Sequence, residues 1–402
     1  FKDKAIHTLR KYGVGSCGPP GFYGTLDVHM DLEEKIAKFL NMQSAIIYSQ
    51  GLTTTLSVIP CFSKRGDLII CDEAVNFGVQ KGIQITRSQV RYFKHNDMAD
   101  LERILKEIQA EDMATKRTVT RRFIVAEGLY INCGDLAPLP ELVRLKEEYR
   151  YRLILDESYS FGVVGEHGRG ITEHFGVPTE KVDLLIGSMC NALCSSGGFC
   201  AGRIELIEHQ RLSGLGYVFS ASLPAILAVY AIDGLDVLSS GRGPQILTRL
   251  RANAKIMAHG LRSLAQLGAI HLLGGGEGEG DHKSTTSNSN EEMPIFHLKL
   301  GRSWARTHLT LPGTLAGIPN DPRKPLPTEA RVAMDQVLQQ IVDQAFDQGL
   351  LLTRAKYIAS QERVVPDPSI RICVSAAHTE QVTRDATHII REAVHQVLEK
   401  FS

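Results

Sequence analysis

With 45 Lys and Arg balancing 45 Asp and Glu in 402 residues, the chain has no excess charge with which to grip a phosphate backbone, which argues against nucleic-acid binding by broad charge neutralisation. Its hydrophobic content of 43% excludes disorder over most of the length and supplies a large core without disulfide or metal staples. No run of about 18 uninterrupted apolar residues occurs. The richest segment, 219–238, is broken by Ser222, Pro224, Asp233 and Asp236 and reads as a core helix. The chain opens on Phe1, so it reads as a fragment, and any targeting or membrane segment upstream would lie outside it. The eight cysteines sit mostly in apolar segments, and Cys190, Cys194 and Cys200 lack paired metal-ligand spacing. A reduced protein with no metal site is the expectation.

Residues 1–12 suggest a short amphipathic helix, followed by a glycine-dense loop over 12–24 and a helix over 31–40. Strands and helices then alternate: strands at 45–48, 68–71, 89–93, 122–126, 152–155 and 184–187, and helices at 53–62, 76–86, 98–107 and 139–149. Apolar strands separated by helices predict an α/β fold with a mostly parallel central sheet covered on both faces. Acidic residues end several strands (Asp72, Glu127, Asp156), and the carboxyl edge of an open α/β sheet is where ligands bind. Beyond residue 238 the composition changes. Helices over 245–267, 327–348 and 379–401 and a strand over 369–375 suggest a smaller α+β domain, interrupted by a disordered Gly/Ser/Asn-rich insertion at 274–292 and a Pro-rich loop at 311–327. The expected division is 1–41 as N-terminal helix and interface loop, 42–238 as the large domain and 239–402 as the smaller one.

Gly13-Val14-Gly15-Ser16-Cys17-Gly18 matches a dinucleotide fingerprint, but a charged helical stretch precedes it and Pro19-Pro20 follows. Without the strand before and the helix after, it reads as a tight loop for close backbone approach. Asp156-Glu157-Ser158-Tyr159 at a strand end is equally consistent with a contact to a cofactor ring nitrogen and with a loop cap.

Taken together, Tyr12-Gly13-Val14-Gly15, the segment Gly24-Thr25 to Glu33, Glu127-Gly128, Asp135-Leu136-Ala137-Pro138, Gly197-Gly198, Phe219 to Pro224 and Ser375-Ala376-Ala377-His378 resemble, in order, the α-oxoamine synthases. That resemblance implies the type I pyridoxal-phosphate (PLP) transferase fold and an enzyme that condenses an amino acid with an acyl-CoA, releasing carbon dioxide. It also sets the departures. Asn191, in Gly187-Ser188-Met189-Cys190-Asn191-Ala192, stands where the family has its cofactor lysine, and no lysine lies between Lys181 and Lys255. A carboxamide nitrogen is delocalised into its carbonyl and cannot capture an aldehyde as a primary amine does. Asn76 stands in place of the histidine that stacks on the cofactor, and Tyr159 in place of the histidine of Asp-Glu-Ala-His. Asp156 still matches the pyridine-nitrogen partner, as a vestige.

Within the family this pattern is similar to a subunit that works beside a lysine-bearing long-chain-base partner. The resemblance then implies an obligate heterodimer in which the partner holds the PLP covalently. Together they would condense L-serine with palmitoyl-CoA to 3-ketosphinganine at the endoplasmic reticulum membrane, with small membrane regulatory subunits as candidate further partners. From this chain the loop residues Tyr12, Gly15, Cys17, Gly18, Tyr23 and Gly24 would reach across the interface, and Ser220 and Ser222 would approach the partner's cofactor phosphate. Cys17 reads equally as a residue near the amino-acid pocket or as a small side chain buried under the loop. Arg371 falls where family members bind a substrate carboxylate, with a structural ion pair as the alternative. A purely structural or regulatory scaffold and an autonomous synthase with an unusual lysine remain the competing readings.

Overall fold

The computed structural model describes residues 2–115, 120–274, 292–309, 318–319, 321 and 324–401. The insertion expected at 274–292, apart from Gly274 and Glu292, and most of the Pro-rich stretch expected as a loop at 311–327 lie outside the described residues. The chain divides into two compact units, residues 1–130 with 136–245, and residues 131–135 with 246–402.

The first unit runs α1 (Lys2–Tyr12), α2 (Asp27–Phe39), β1 (Ser44–Tyr48), α3 (Gly51–Phe62), β2 (Leu68–Asp72), α4 (Phe77–Thr86), β3 (Gln89–Phe93), α5 (Met98–Thr115), β4 (Arg122–Glu127), α6 (Leu139–Glu148), β5 (Arg152–Asp156), α7 (Ile171–His174), β6 (Leu184–Ser188), β7 (Gly198–Gly202), α8 (Ile204–Ser213), α9 (Leu215–Val218) and α10 (Ala225–Ser239). Its seven strands pair in the order β1-β7-β6-β5-β4-β2-β3. Neighbours are parallel from β6 through to β3, while β7 runs antiparallel to both β1 and β6. Strands β2, β6 and β7 are buried at every residue, which requires cover on both faces of the sheet. The edge strand β3 instead alternates exposed and half-buried positions until Phe93.

The sheet is mostly parallel, as expected, but the antiparallel strand β7 is not among the expected strands. Its sequence Gly-Phe-Cys-Ala-Gly is too glycine-rich to read as a strand. The glycines are there for close packing: a Cβ on Gly198 would lie 2.4 Å from Thr54 Oγ1, and one on Gly187 opposite would lie 2.2 Å from the Phe199 ring. Helix α2 starts at Asp27, four residues before the expected 31, because the His29 imidazole accepts a hydrogen bond from the Leu26 backbone N–H (3.1 Å) and so caps the turn. The core helix expected over 219–238 begins only at Ala225; Pro224 precedes it.

The second unit contains α11 (Arg242–Ala265) from residue 246 onward, β8 (Ile270–Leu273), β9 (Ile295–Leu300), α12 (Arg302–His308), α13 (Thr328–Asp347), β10 (Thr353–Arg354), β11 (Ser369–Cys373) and α14 (Glu380–Leu398). Four antiparallel strands pair in the order β10-β11-β9-β8. On α14, Ile390, Val394 and Val397 recur at helical spacing and are fully buried with Ile341 and Leu338 of α13. Burying each such side chain stabilises the fold by about 1.5–3 kcal/mol.

Candidate functional site

The carboxyl ends of β2, β4, β5 and β6 gather the residues that the sequence singled out separately. Asn76 lies just before α4 and caps it, its Oδ1 accepting from the Val79 N–H at 3.1 Å. The other end of the same carboxamide donates from Nδ2 to Asp156 Oδ2 at 3.2 Å. The Asn76 backbone N–H donates to the Glu127 carboxylate at the end of β4. Asp156 is buried, and its second oxygen accepts from the Ser158 N–H at 2.9 Å. Burial raises its pKa above the usual carboxylate value, with the Ser158 and Asn76 donors opposing the shift. Asn191, in the turn after β6, donates from Nδ2 to the Ser158 carbonyl at 2.8 Å. Tyr159 beside it is half-buried. The structure thus brings Asn76, Asp156, Ser158 and Asn191 into one hydrogen-bonded chain.

Three charged groups around this rim, Asp72, His95 and Glu157, are not among the site residues to which the sequence assigned a role. Asp72, fully buried at the end of β2, faces His95 Nδ1 at 3.0 Å and accepts from the Ala74 and Asn96 N–H groups. Burial pushes its pKa up, but His95 and those donors outweigh it and hold the carboxyl below the usual value. Glu157 is also fully buried; it accepts from Ser160 Oγ and from the Ile171 N–H at 3.1 Å, tying the strand end to α7. Burial raises its pKa to about 7. A carboxylate one residue beyond a strand-end Asp and followed by a glycine-rich loop is the sequence signal that would have found it.

The glycine loop and the segment 219–224 form a second assembly in the same unit. Ser222 donates through both its backbone N–H (2.9 Å) and its Oγ (3.1 Å) to the Gly18 carbonyl. Ser16 Oγ donates to the Gly24 carbonyl at 3.3 Å, and Ser220 Oγ lies 3.2 Å from Ser49 Oγ, two residues before α3. Residues 20–24 make a wide turn that packs on α9. Cys17 and Tyr23 hold left-handed backbone conformations, φ 53° and 63°, which L side chains adopt at a cost. Cys17 is exposed, so it is not the small side chain buried under the loop that one reading expected. Tyr12 donates from its hydroxyl to Asp27 at the start of α2, anchoring the loop's entry. Around the turn, large apolar side chains face outward: Tyr23 is 88% exposed, Phe219 80%, and Phe22, Leu212 and Leu215 more than half. Next to them a cavity of about 570 Å³ is lined by Met30, Glu33, Tyr48, Arg211, Tyr217 and Ser222. Arg211 closes on Glu33 at 2.7 Å and donates to the Tyr217 hydroxyl at 3.0 Å.

Arg371 lies half-buried on β11 in the second unit, paired in register with His297. The donor set in the first unit does not suit a cofactor held through its aldehyde by this chain. Asn191 offers a carboxamide already donated to a carbonyl, and the Asp156 carboxylate is already engaged by Asn76.

The fold is that of an aminotransferase-type protein, and the comparisons agree. The aminotransferase class I and II family model matches residues 2–390. Serine palmitoyltransferase 1 of Dictyostelium discoideum is 42% identical over 393 residues, covering 98% of this chain and 74% of the relative. Long chain base biosynthesis protein 1 of Arabidopsis thaliana is 41% identical over 400 residues, covering 99% of this chain and 73% of the relative. A solved structure of a serine palmitoyltransferase from S. paucimobilis, with a bound PLP–myriocin aldimine, superposes with a TM-score of 0.77 over 98% of this chain and 83% of that one at 21% identity, a likeness of fold. The chain belongs to the class I and II aminotransferase family and, within it, to the group of serine palmitoyltransferase 1 and long chain base biosynthesis protein 1.

Proposed function

We propose that the chain is the subunit without the reactive lysine in a heterodimer that condenses L-serine with palmitoyl-CoA, giving 3-ketosphinganine, carbon dioxide and CoA, the entry step of sphingolipid synthesis. The lysine-bearing long-chain-base subunit holds the PLP and supplies the amine, the ring-stacking histidine and the ring-nitrogen carboxylate. This chain supplies the loop from Tyr12 to Gly24, with Cys17 and the Ser220–Ser222 strip, across the interface. The outward apolar side chains Phe22, Tyr23, Leu212, Leu215 and Phe219 support that placement, because large apolar side chains left exposed in number are a mark of protein contacts. The expected location is the cytosolic side of the endoplasmic reticulum membrane. Among the described residues no helix is long and apolar enough to cross a membrane.

The observation that supports the reading is that the Asn191 carboxamide donates to the Ser158 carbonyl; by the family resemblance, Asn191 stands where the amine belongs. The test is to purify the chain alone and together with its lysine-bearing partner, then assay bound PLP and serine–palmitoyl-CoA condensation. The pair turns over and carries the cofactor; the chain alone does neither. Turnover by the isolated chain overturns the reading in favour of an autonomous synthase.

A further inference from the structure

We propose that the groove between α11 and α14 in the second unit binds a phosphate ester. It rests on that unit alone and is independent of the function proposed above.

Helix α11 carries Arg242, Arg249, Arg251, Lys255 and Arg262 and not one Asp or Glu in its 24 residues. In a chain with 45 cations and 45 anions, so one-sided a helix is a local concentration and not a by-product of a basic protein. Arg251, Lys255, His259 and Arg262 recur at steps of four, four and three, so they share one stripe. On α14, Arg384, His388, Arg391 and His395 recur in the same way. The helices approach closely at Gly260, where a Cβ would lie 2.1 Å from Thr387 Cγ2, and the Thr387 hydroxyl donates to Met257 Sδ at 3.6 Å. Beside that crossing a groove of about 460 Å³ is lined by Lys255, His259, Arg384, His388 and Arg391, with Ile256 as an apolar wall.

Carboxylates near these cations lie outside the lining. Glu292 reaches Lys255 at 2.8 Å, Glu380 reaches Arg384 at 3.4 Å and Glu392 reaches His388 at 3.3 Å. Arg391 has no carboxylate partner among the described residues. Lys255, Arg384 and Arg391 line one groove from two helices, and a phosphate, which arginine binds bidentately, would take the place of Glu292 on Lys255 and Glu380 on Arg384. An apolar wall beside them suits the carbon substituent of an ester better than a bare anion.

A soluble phosphate ester and a phospholipid headgroup share this chemistry, and the two arms of the test separate them. The chain, co-purified with its partner, is titrated calorimetrically with glycerol 3-phosphate and floated with phosphatidylcholine vesicles with and without phosphatidic acid. A variant combining K255Q, R384Q and R391Q, the single variant R391Q and a control with K64Q and R65Q on the other unit are run alongside. Each charge removed from the groove weakens binding about tenfold, while the control binds like wild type. Saturable binding of glycerol 3-phosphate that the groove variants lose assigns a soluble ester; loss of phosphatidic-acid-dependent flotation alone assigns a headgroup. Absence of both in wild type overturns the proposal, as does binding that R391Q retains in full or that the control loses equally. Matching thermal melts for R391Q and wild type keep the result free of folding effects.

Discussion

Gly24→Ala should damage this protein where Gly15→Ala and Gly21→Ala do not, although all three glycines lie in one loop. A Cβ on Gly24 would sit 2.2 Å from the Gly18 carbonyl oxygen, 2.5 Å from that of Pro19 and 2.3 Å from Ser222 Oγ, whereas none at Gly15 or Gly21 meets anything within 4 Å. Two of the three obstacles are backbone and cannot rotate away. Relief therefore displaces the loop and strains the two Ser222 bonds to Gly18 and the Gly24 N–H bond to Pro19. Overpacking of this kind costs about 1–3 kcal/mol, and each bond lost adds about 1 kcal/mol, so about 3 kcal/mol is expected. For a unit of this size that lowers the melting temperature by roughly 6–12 °C. Thermal melts of the three variants, with limited proteolysis of residues 13–24 as a local readout, test it. If Gly24→Ala melts within about a degree of Gly15→Ala and its loop is cut no faster, the close packing of the two segments is wrong.

Glu157→Gln reports on the buried acid beneath α7. The folded-state pKa of Glu157, about 7, lies above its unfolded value, so the folded protein holds a proton that the unfolded chain releases, and the residue's contribution falls as pH rises from the unfolded carboxylate range to about 7. Denaturant midpoints should therefore show wild type losing a few kcal/mol relative to the variant across that window; parallel pH profiles would contradict the burial argument. His297, fully buried between Ser369 Oγ (2.9 Å) and the Ile131 carbonyl (2.8 Å), has the opposite sign: burial lowers its pKa to about 3, so stability should be lost as pH falls from about 6.5 towards 3, and His297→Gln should remove that one-proton slope in acid unfolding. Replacing Tyr23 and Phe219 together by Asp should leave the melt of the chain unchanged and cut co-purification with the lysine-bearing partner at least tenfold; undiminished recovery would move the interface elsewhere. Cys17→Leu separates a participating loop from a passive scaffold: assembly holds while amino-acid choice or rate changes if the loop reaches the partner's substrate, and unchanged kinetics favour the scaffold.

Much of this was legible in residue order. Apolar runs ended by Asp72, Glu127 and Asp156 marked strands and the edge where the rim forms, because a parallel sheet needs continuous apolar strands and exposes ligand groups at its carboxyl ends. Strand β7 was invisible because its glycines answer to Thr54 and the β6 backbone across the sheet, a requirement that no local pattern encodes. The hydrogen bond from Asn76 to Asp156 joins residues 80 apart, and the bonds from Ser222 to Gly18 join residues 204 apart. Sequence could name these groups but not bring them together. Asn191 was the reverse case: its chemistry follows from the side chain alone, and the structure adds only where its amide is spent.

The most direct test is to reduce the proposed two-chain enzyme with borohydride, digest it and map the pyridoxyl label. The label is predicted on a lysine of the partner and on no peptide of this chain. A pyridoxyl-lysine recovered from this chain would show that it anchors the cofactor itself, and the account would fail.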